Sequence, residues 1–190
     1  MSQKLKNIDF RFQNSSVKVI ANRNHPKIEL TGVEVGPFEE GNEYEVYYWI
    51  ATELVSLDIV HFREEDTLDS TKLYKIQWKE RVQAAGQISE LSEDFYPKLR
   101  RYLLDMQNEV AKHPTKLEPM QELDRVRHLA CDIINSRLKK IVTLSSGPMQ
   151  SDQIVKKLSP EEKLIYSQLG KIINQWRNQI LELKEAETNG

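Results

Sequence analysis

The stretch LTGVEVGPFEEGNEYEVYYWIA, residues 30–51, changes from one structural pattern to another. Up to Val46 the apolar residues alternate with polar ones, as in a strand with one buried face, and after Val46 they recur at helical spacing. Between the two patterns lies a corner formed by Gly36, Pro37 and Phe38, where the Gly-Pro pair predicts a turn. The stretch therefore predicts an α+β chain, mostly α, in which a small sheet precedes a helical bundle.

Residues 1–46 predict a small β-domain, because apolar residues alternate through most of this region. Four segments carry the alternation, at 8–12, 17–21, 28–35 and 44–46. A sheet of this size exposes an apolar face and needs something to pack against. We therefore expect the helices that follow to complete its core.

Residues 47–190 predict a helical domain of about five helices. The predicted helices cover about 47–60, 70–88, 92–113, 119–144 and 159–184. The last has the clearest start signal, with Ser159 as N-cap, Pro160 at the first helical position and Glu162 completing a capping box.

The composition is that of an ordinary globular protein of 190 residues with a net charge of −2. This balance does not require a polyanionic partner. A single cysteine, no signal peptide and no long apolar run predict a cytoplasmic protein with a reduced thiol and no membrane partner.

No motif predicts catalysis, a cofactor or a metal. A phosphate-binding loop is missing from the sequence. His128 and Cys131 have a spacing found among metal ligands, but two ligands do not close a zinc site, and we expect a core-facing thiol beside a boundary histidine. The acidic residues of 64–69 are interpreted as a solvated loop before a helix. An enzyme would need a third ligand near His128 and Cys131.

Basic residues on the fourth predicted helix leave two interpretations open. Those considered for nucleic-acid contact are Arg125, Arg137, Lys139 and Lys140. The favoured interpretation is a solvated helix face, because Asp124 and Asp132 lie among them and no aromatic residues interleave. The alternative is a DNA-binding regulatory protein that uses this helix against the phosphate backbone.

Apolar stripes are more numerous than one small bundle needs, and this surplus predicts a protein interface. The predicted interface residues lie on the third and the last helix: Leu99, Tyr102, Leu103, Ile172, Trp176 and Ile180.

The segment at 30–51 resembles the GINS family of DNA replication factors, in the subunits whose β-domain comes first. Other segments resemble the family in the expected order, at 17–22, 27–30, 91–104 and 122–141, so that the resemblance covers about 15–145. Tyr47, Tyr48 and Trp49 stand where eukaryotic members of this class usually have Pro-Leu-Trp, and 158–166 looks more like archaeal GINS subunits.

The resemblance implies a non-catalytic scaffold. Its implied partners are a helix-first GINS subunit in a heterotetramer, the MCM helicase and a Cdc45/RecJ-like protein, at nucleoid-associated replication forks. By position, the β-domain corner would consist of Gly36, Pro37, Phe38 and Gly41. The junction with the helical domain would consist of Trp49, Leu54 and Leu57.

Overall fold

A computed structural model describes residues 2–30, 32–83, 87–147 and 152–181. The helices are α1 (Ser2–Gln13), α2 (Tyr48–Ser56), α3 (Ser70–Val82), α4 (Phe95–Lys112), α5 (Leu117–Ser146), α6 (Asp152–Lys156) and α7 (Pro160–Leu181). The strands are β1 (Ser16–Ala21), β2 (Ile28–Leu30), β3 (Val33–Val35), β4 (Glu43–Tyr47) and β5 (Val60–Phe62). The described residues form two compact units: 1–69 with 97–105, called the sheet unit, and 70–96 with 106–190, called the bundle unit.

The sheet unit is built on a three-stranded antiparallel sheet in the order β4–β1–β5. The alternation in β1 sends Val19 and Ala21 into the core. Helix α2 follows β4 directly, and its buried residues Ile50, Ala51 and Leu54 belong to the same core. The predicted change from strand to helix within 30–51, and the α+β class with a sheet before a bundle, are confirmed.

The first predicted strand is wrong, because residues 2–13 form helix α1. Leu5, Ile8 and Phe12 share one side at helical spacing and are half-buried, whereas Phe10 is exposed. Phe12 packs on Tyr48 of α2, with ring centroids 4.3 Å apart. The helical spacing of Leu5, Ile8 and Phe12 therefore outweighs the strand-like alternation of residues 8–12.

Two further strand predictions need correction. Residues 28–35 form a hairpin of β2 and β3 rather than one continuous strand, with Ile28 opposite Val35. Helix α2 ends at Ser56, short of its predicted end at about 60, and Val60–Phe62 forms β5, which pairs with β1. The exposed edge of β1 supplies hydrogen-bond partners for this segment, and such a long-range pairing is invisible to local periodicity.

The bundle unit contains α3, α5, α6, α7 and the ends of α4. The predicted start of α7 is confirmed: the Ser159 amide donates to Glu162 Oε2 at 3.0 Å, and the Glu162 amide donates to Ser159 Oγ at 3.3 Å. Its predicted end at 184 lies outside the described residues. Helix α7 runs in the same direction as α5, because Glu162 contacts Arg137 and Arg177 donates to the Ser146 carbonyl at 2.5 Å.

Within the described ranges, no helix combines the length and the apolar character needed to cross a membrane.

Candidate interfaces and a buried ion cluster

The predicted corner residues lie in the segment of the sheet unit that connects β3 to β4. Gly36 and Gly41 have φ of +87° and +80°, a region that favours glycine. Phe38 is buried, and its amide donates to the His25 carbonyl at 2.8 Å. The Gly41 amide donates to the Ala21 carbonyl at 2.8 Å, which ties the corner to β1. Pro37, between Gly36 and Phe38, is exposed.

The three predicted junction residues have different surroundings. Leu54 is buried in the core of the sheet unit itself. Trp49 and Leu57 are exposed on and just after α2. Leu54 therefore serves the sheet unit internally, while a junction role for Trp49 and Leu57 stays a prediction.

The last turns of α7 carry an exposed apolar stripe, called the α7 stripe: Ile172, Trp176 and Ile180. At a spacing of four residues, these side chains lie within about 80° of one another around the helix. Two uncharged amide side chains, Gln175 and Gln179, lie on one flank of the stripe. Three of the six predicted interface residues therefore do form one accessible surface.

The predicted interface residues on α4 are less accessible. Leu99 is 3% exposed, so its assignment to a subunit interface is wrong. It follows buried Phe95 at a spacing of four residues and so continues the inward face of the helix. Tyr102 and Leu103 are half-buried.

Helix α5 has a second exposed stripe, called the α5 stripe, formed by Cys131, Ile134, Leu138 and Val142. The expectation of a core-facing thiol is wrong, because the inward register of α5 passes through Ala130 and Ile133 and leaves Cys131 outside. His128 is also exposed, and its Nδ1 lies 2.7 Å from the Asp124 carbonyl. In the part of the chain that the structure describes, no three potential ligands gather into a metal-binding group.

A buried ion cluster lies inside the bundle unit. Arg137 is 0% exposed and binds the Glu162 carboxylate with two nitrogens, Nε to Oε1 at 2.5 Å and Nη2 to Oε2 at 2.7 Å. The Tyr96 hydroxyl also donates to Glu162 Oε1, at 2.7 Å. The carboxylate that caps α7 therefore also joins this helix to α5 and to the first turn of α4.

The second half of the ion cluster is centred on Glu80 of α3. Its carboxylate accepts from Arg137 Nη1 at 2.5 Å and from Lys140 Nζ at 2.7 Å. Ser89 donates to the same carboxylate from its hydroxyl and its amide. Two cations thus face two carboxylates, and the hydrogen bonds offset part of the cost of removing these charges from water.

The surroundings shift the pKa values of these groups. Burial by itself raises the pKa of Glu80, but hydrogen bonds from Lys140 and Ser89 and the charge of Arg137 lower it below the ordinary value. Burial, together with the neighbouring Glu162 carboxylate, raises the pKa of Tyr96. Both groups therefore keep their usual charge states at neutral pH.

Two of the four residues considered for nucleic-acid contact belong to the ion cluster. Arg137 and Lys140 are buried, so their assignment to a DNA surface is wrong. Arg125 and Lys139 are exposed, and Arg125 pairs with Glu122 at 3.1 Å. The structure therefore does not present α5 as a basic surface.

Sequence reasoning missed the ion cluster, although one signal pointed to it. Arg137 and Lys140 fall in the same inward register as Ile133, Ile141 and Leu144. A cation in an apolar register is a sign of burial, and burial requires a carboxylate partner. The partner Glu80 is 57 residues away from Arg137, so no local pattern could identify it.

Comparisons with known proteins agree with this architecture. The Sld5 model, described as the GINS complex protein helical bundle domain, matches residues 67–181, and the PSF2 N-terminal domain model matches residues 4–58. Because the first match covers more than half of the chain, the chain belongs to the family of GINS complex proteins. The family suggested by the sequence is thereby confirmed.

The chain is similar to a human protein, the DNA replication complex GINS protein PSF2. The two are 23% identical over 177 residues, which span 93% of this chain and 90% of the human protein. Because this relative is human, assignment to the archaeal subunit type stays a prediction.

Proposed function

We propose that this chain is a non-catalytic subunit of a heterotetrameric GINS complex and acts as a scaffold in DNA replication. Its direct partner is a helix-first GINS subunit. The complex in turn links the MCM helicase to a Cdc45/RecJ-like protein, in the arrangement of the archaeal subunit type. The observation that carries this proposal is the pair of exposed apolar stripes on α5 and α7, within the region that matches the GINS helical bundle domain.

The chemistry of the α7 stripe supports a protein partner. An exposed tryptophan between two exposed isoleucines offers a large apolar area, and the centres of protein interfaces are enriched in aromatic residues and poor in charge. The amide side chains beside the stripe can form hydrogen bonds at an interface rim. A bundle helix with such a stripe favours another helical chain as its partner.

The solution mass of the assembly tests the proposal. We would measure it by light scattering for the chain alone and for the chain co-expressed with a helix-first GINS subunit from the same organism. We expect a mixed tetramer from co-expression, and an aggregated or unstable chain without the partner. A monodisperse monomer in both samples would contradict the proposal.

A pair of variants locates the interface on α7. Ile172→Glu with Ile180→Glu places two charges in the stripe and should abolish the mixed tetramer. Asn174→Glu with Asn178→Glu places the same charges on the opposite side of the helix and should leave it intact. Equal loss in both variants would show that the stripe is not the contact surface.

The wider scaffold role has its own test. Immobilised complex should retain purified MCM helicase and the RecJ-like protein together, whereas either protein alone should not retain the other. If MCM helicase and the RecJ-like protein retain each other without the complex, the proposed linking role is excluded, while the assignment as a GINS subunit still stands.

A further inference from the structure

Helix α3 has an exposed face that combines aromatic and basic side chains. Tyr74 and Trp78 lie one turn apart, and each is 60% exposed. Val82 continues the row, and Lys75, Lys79 and Arg81 are also exposed. We call these six residues the α3 face.

The cations lie on both sides of the aromatic row. At about 100° per residue, Arg81 falls on one flank of Tyr74 and Trp78, while Lys75 and Lys79 fall on the other. Among the described residues, no carboxylate pairs with these three cations. Glu80, the acidic residue of α3, is buried and is bound to Arg137 and Lys140.

The α3 face differs from the α7 stripe in its charge. Trp78 and Trp176 are equally exposed, at 60% and 61%. Trp176 lies between aliphatic residues with amide side chains on one flank, whereas Trp78 lies between cations. Interface centres between proteins are depleted of lysine, while surfaces that bind single-stranded nucleic acid combine cations with exposed aromatic rings.

We infer that the α3 face binds single-stranded DNA. Bases would stack on Tyr74 and Trp78, whose Cβ atoms lie about 5–6 Å apart at this spacing. Phosphates on either side of the row would contact Lys75, Lys79 and Arg81. Single strands fit better than a duplex, because the bases of a duplex are already stacked on each other. The inference does not depend on the proposed tetramer, since it uses a different helix.

The test is the affinity for a fluorescently labelled oligo(dT), measured by anisotropy in whichever form is homogeneous, the full chain or its co-purified complex. Trp78→Ala should weaken binding about tenfold. Phe10→Ala removes an exposed aromatic ring on α1, outside the α3 face and both stripes, and should leave the DNA affinity unchanged. Circular dichroism establishes that both variants are folded, and Tyr74→Ala provides a second aromatic variant.

The salt dependence tests the cations. Single-strand binding through three cations predicts a slope of log K against log[salt] of roughly −2. Lys75→Glu with Lys79→Glu should flatten this slope by about 1.4, whereas Lys4→Glu with Lys6→Glu, at exposed positions on α1, should leave it unchanged.

The two tryptophans separate this inference from the proposed function. If Trp176→Ala abolishes the tetramer and Trp78→Ala weakens DNA binding, both the proposed function and the inference about the α3 face are supported. If Trp78→Ala abolishes the tetramer and leaves DNA affinity unchanged, the α3 face is a subunit contact and the inference is overturned. Preference for a duplex of the same length, or the lack of any oligo(dT) binding, overturns it as well.

Discussion

Gly36 occupies a backbone conformation, with φ of +87°, that L side chains rarely adopt. A Cβ added there would lie 3.0 Å from Cδ2 of the buried Phe38 ring. We expect Gly36→Ala to lower the free energy of unfolding by about 1–3 kcal/mol, measured by urea denaturation.

Gly170 in α7 provides the matched control for this substitution. A Cβ at Gly170 would meet no atom within 4 Å. Gly170→Ala should raise the free energy of unfolding by up to about 1 kcal/mol, because alanine favours the helix. Opposite signs for the two variants are the expected result, and a stabilising Gly36→Ala would contradict the strain argument.

Arg137 binds two buried carboxylates, so its removal takes away the cation that binds Glu162 and one of the two cations that bind Glu80. We expect Arg137→Met to lower the free energy of unfolding by about 3–5 kcal/mol in the same urea experiment. The exposed Arg127 on the same helix is the control, and Arg127→Met should change the value by less than about 0.5 kcal/mol. Similar values for the two variants would mean that the ion cluster contributes little.

Glu80 gives the ion cluster a dependence on pH. Its pKa in the folded chain is lower than its ordinary value of 4.5, so its contribution to stability is complete above that value and is lost as the pH falls through the folded pKa. We expect the wild-type chain to lose stability below about pH 4.5 more steeply than Glu80→Gln does. Glu90→Gln, at an exposed position, should retain the wild-type slope. Equal slopes for Glu80→Gln and the wild type would exclude Glu80 as the titrating group.

At the scale of single elements, α5 separates two tasks by its register. Its inward side carries apolar residues and then the ion cluster, while its outward side carries the α5 stripe. Helix α7 is arranged differently along its length, because its first turn is capped and bound to Arg137 whereas its last turns are exposed. The buried contacts fix where each helix lies, and the exposed stripes are then presented in a defined orientation.

Cys131 makes the α5 stripe testable, since it is the one cysteine of the chain and is exposed. If the α5 stripe contacts the partner subunit, reaction of Cys131 with a maleimide should slow at least severalfold in the assembled complex, as followed by mass spectrometry. The control carries Cys131→Ser with Ser167→Cys, which moves the thiol to an exposed position on α7 away from the α7 stripe. Equal labelling of Cys131 with and without the partner would place the α5 stripe outside the interface.

At the scale of the whole molecule, each unit has a distinct kind of interior. The sheet unit has an apolar core that combines β1, β4, β5 and α2. The bundle unit has an apolar cluster around Ile88, Ile141, Leu144 and Leu158, and beside it the ion cluster. Exposed apolar surface remains on the bundle unit after both interiors are filled, which is why we expect this chain to function within an assembly.

Sequence reasoning succeeded where the signals are local. Strands β1 and β4, the start of α7 and, to within one residue, the change from strand to helix predicted at Tyr47 agree with the structure, because alternation and a capping box depend on neighbouring residues. It failed at β5, which forms on the edge of β1, and at α1, where two periodicities competed. Leu99, Arg137 and Lys140 were assigned to surfaces because residue type was considered without the register of the helix.

The sequence by itself determined the order of a small sheet and a helical bundle, the capping of α7 and the family resemblance, since each follows from residues close together in the chain. Only the tertiary structure decided which charges are buried, because Glu80, Arg137 and Glu162 lie far apart in sequence and meet through helix packing. It also decided which apolar and aromatic side chains stay exposed on α3, α5 and α7. Burial is a property of the packed helices rather than of any local segment, and the candidate surfaces of this protein follow from it.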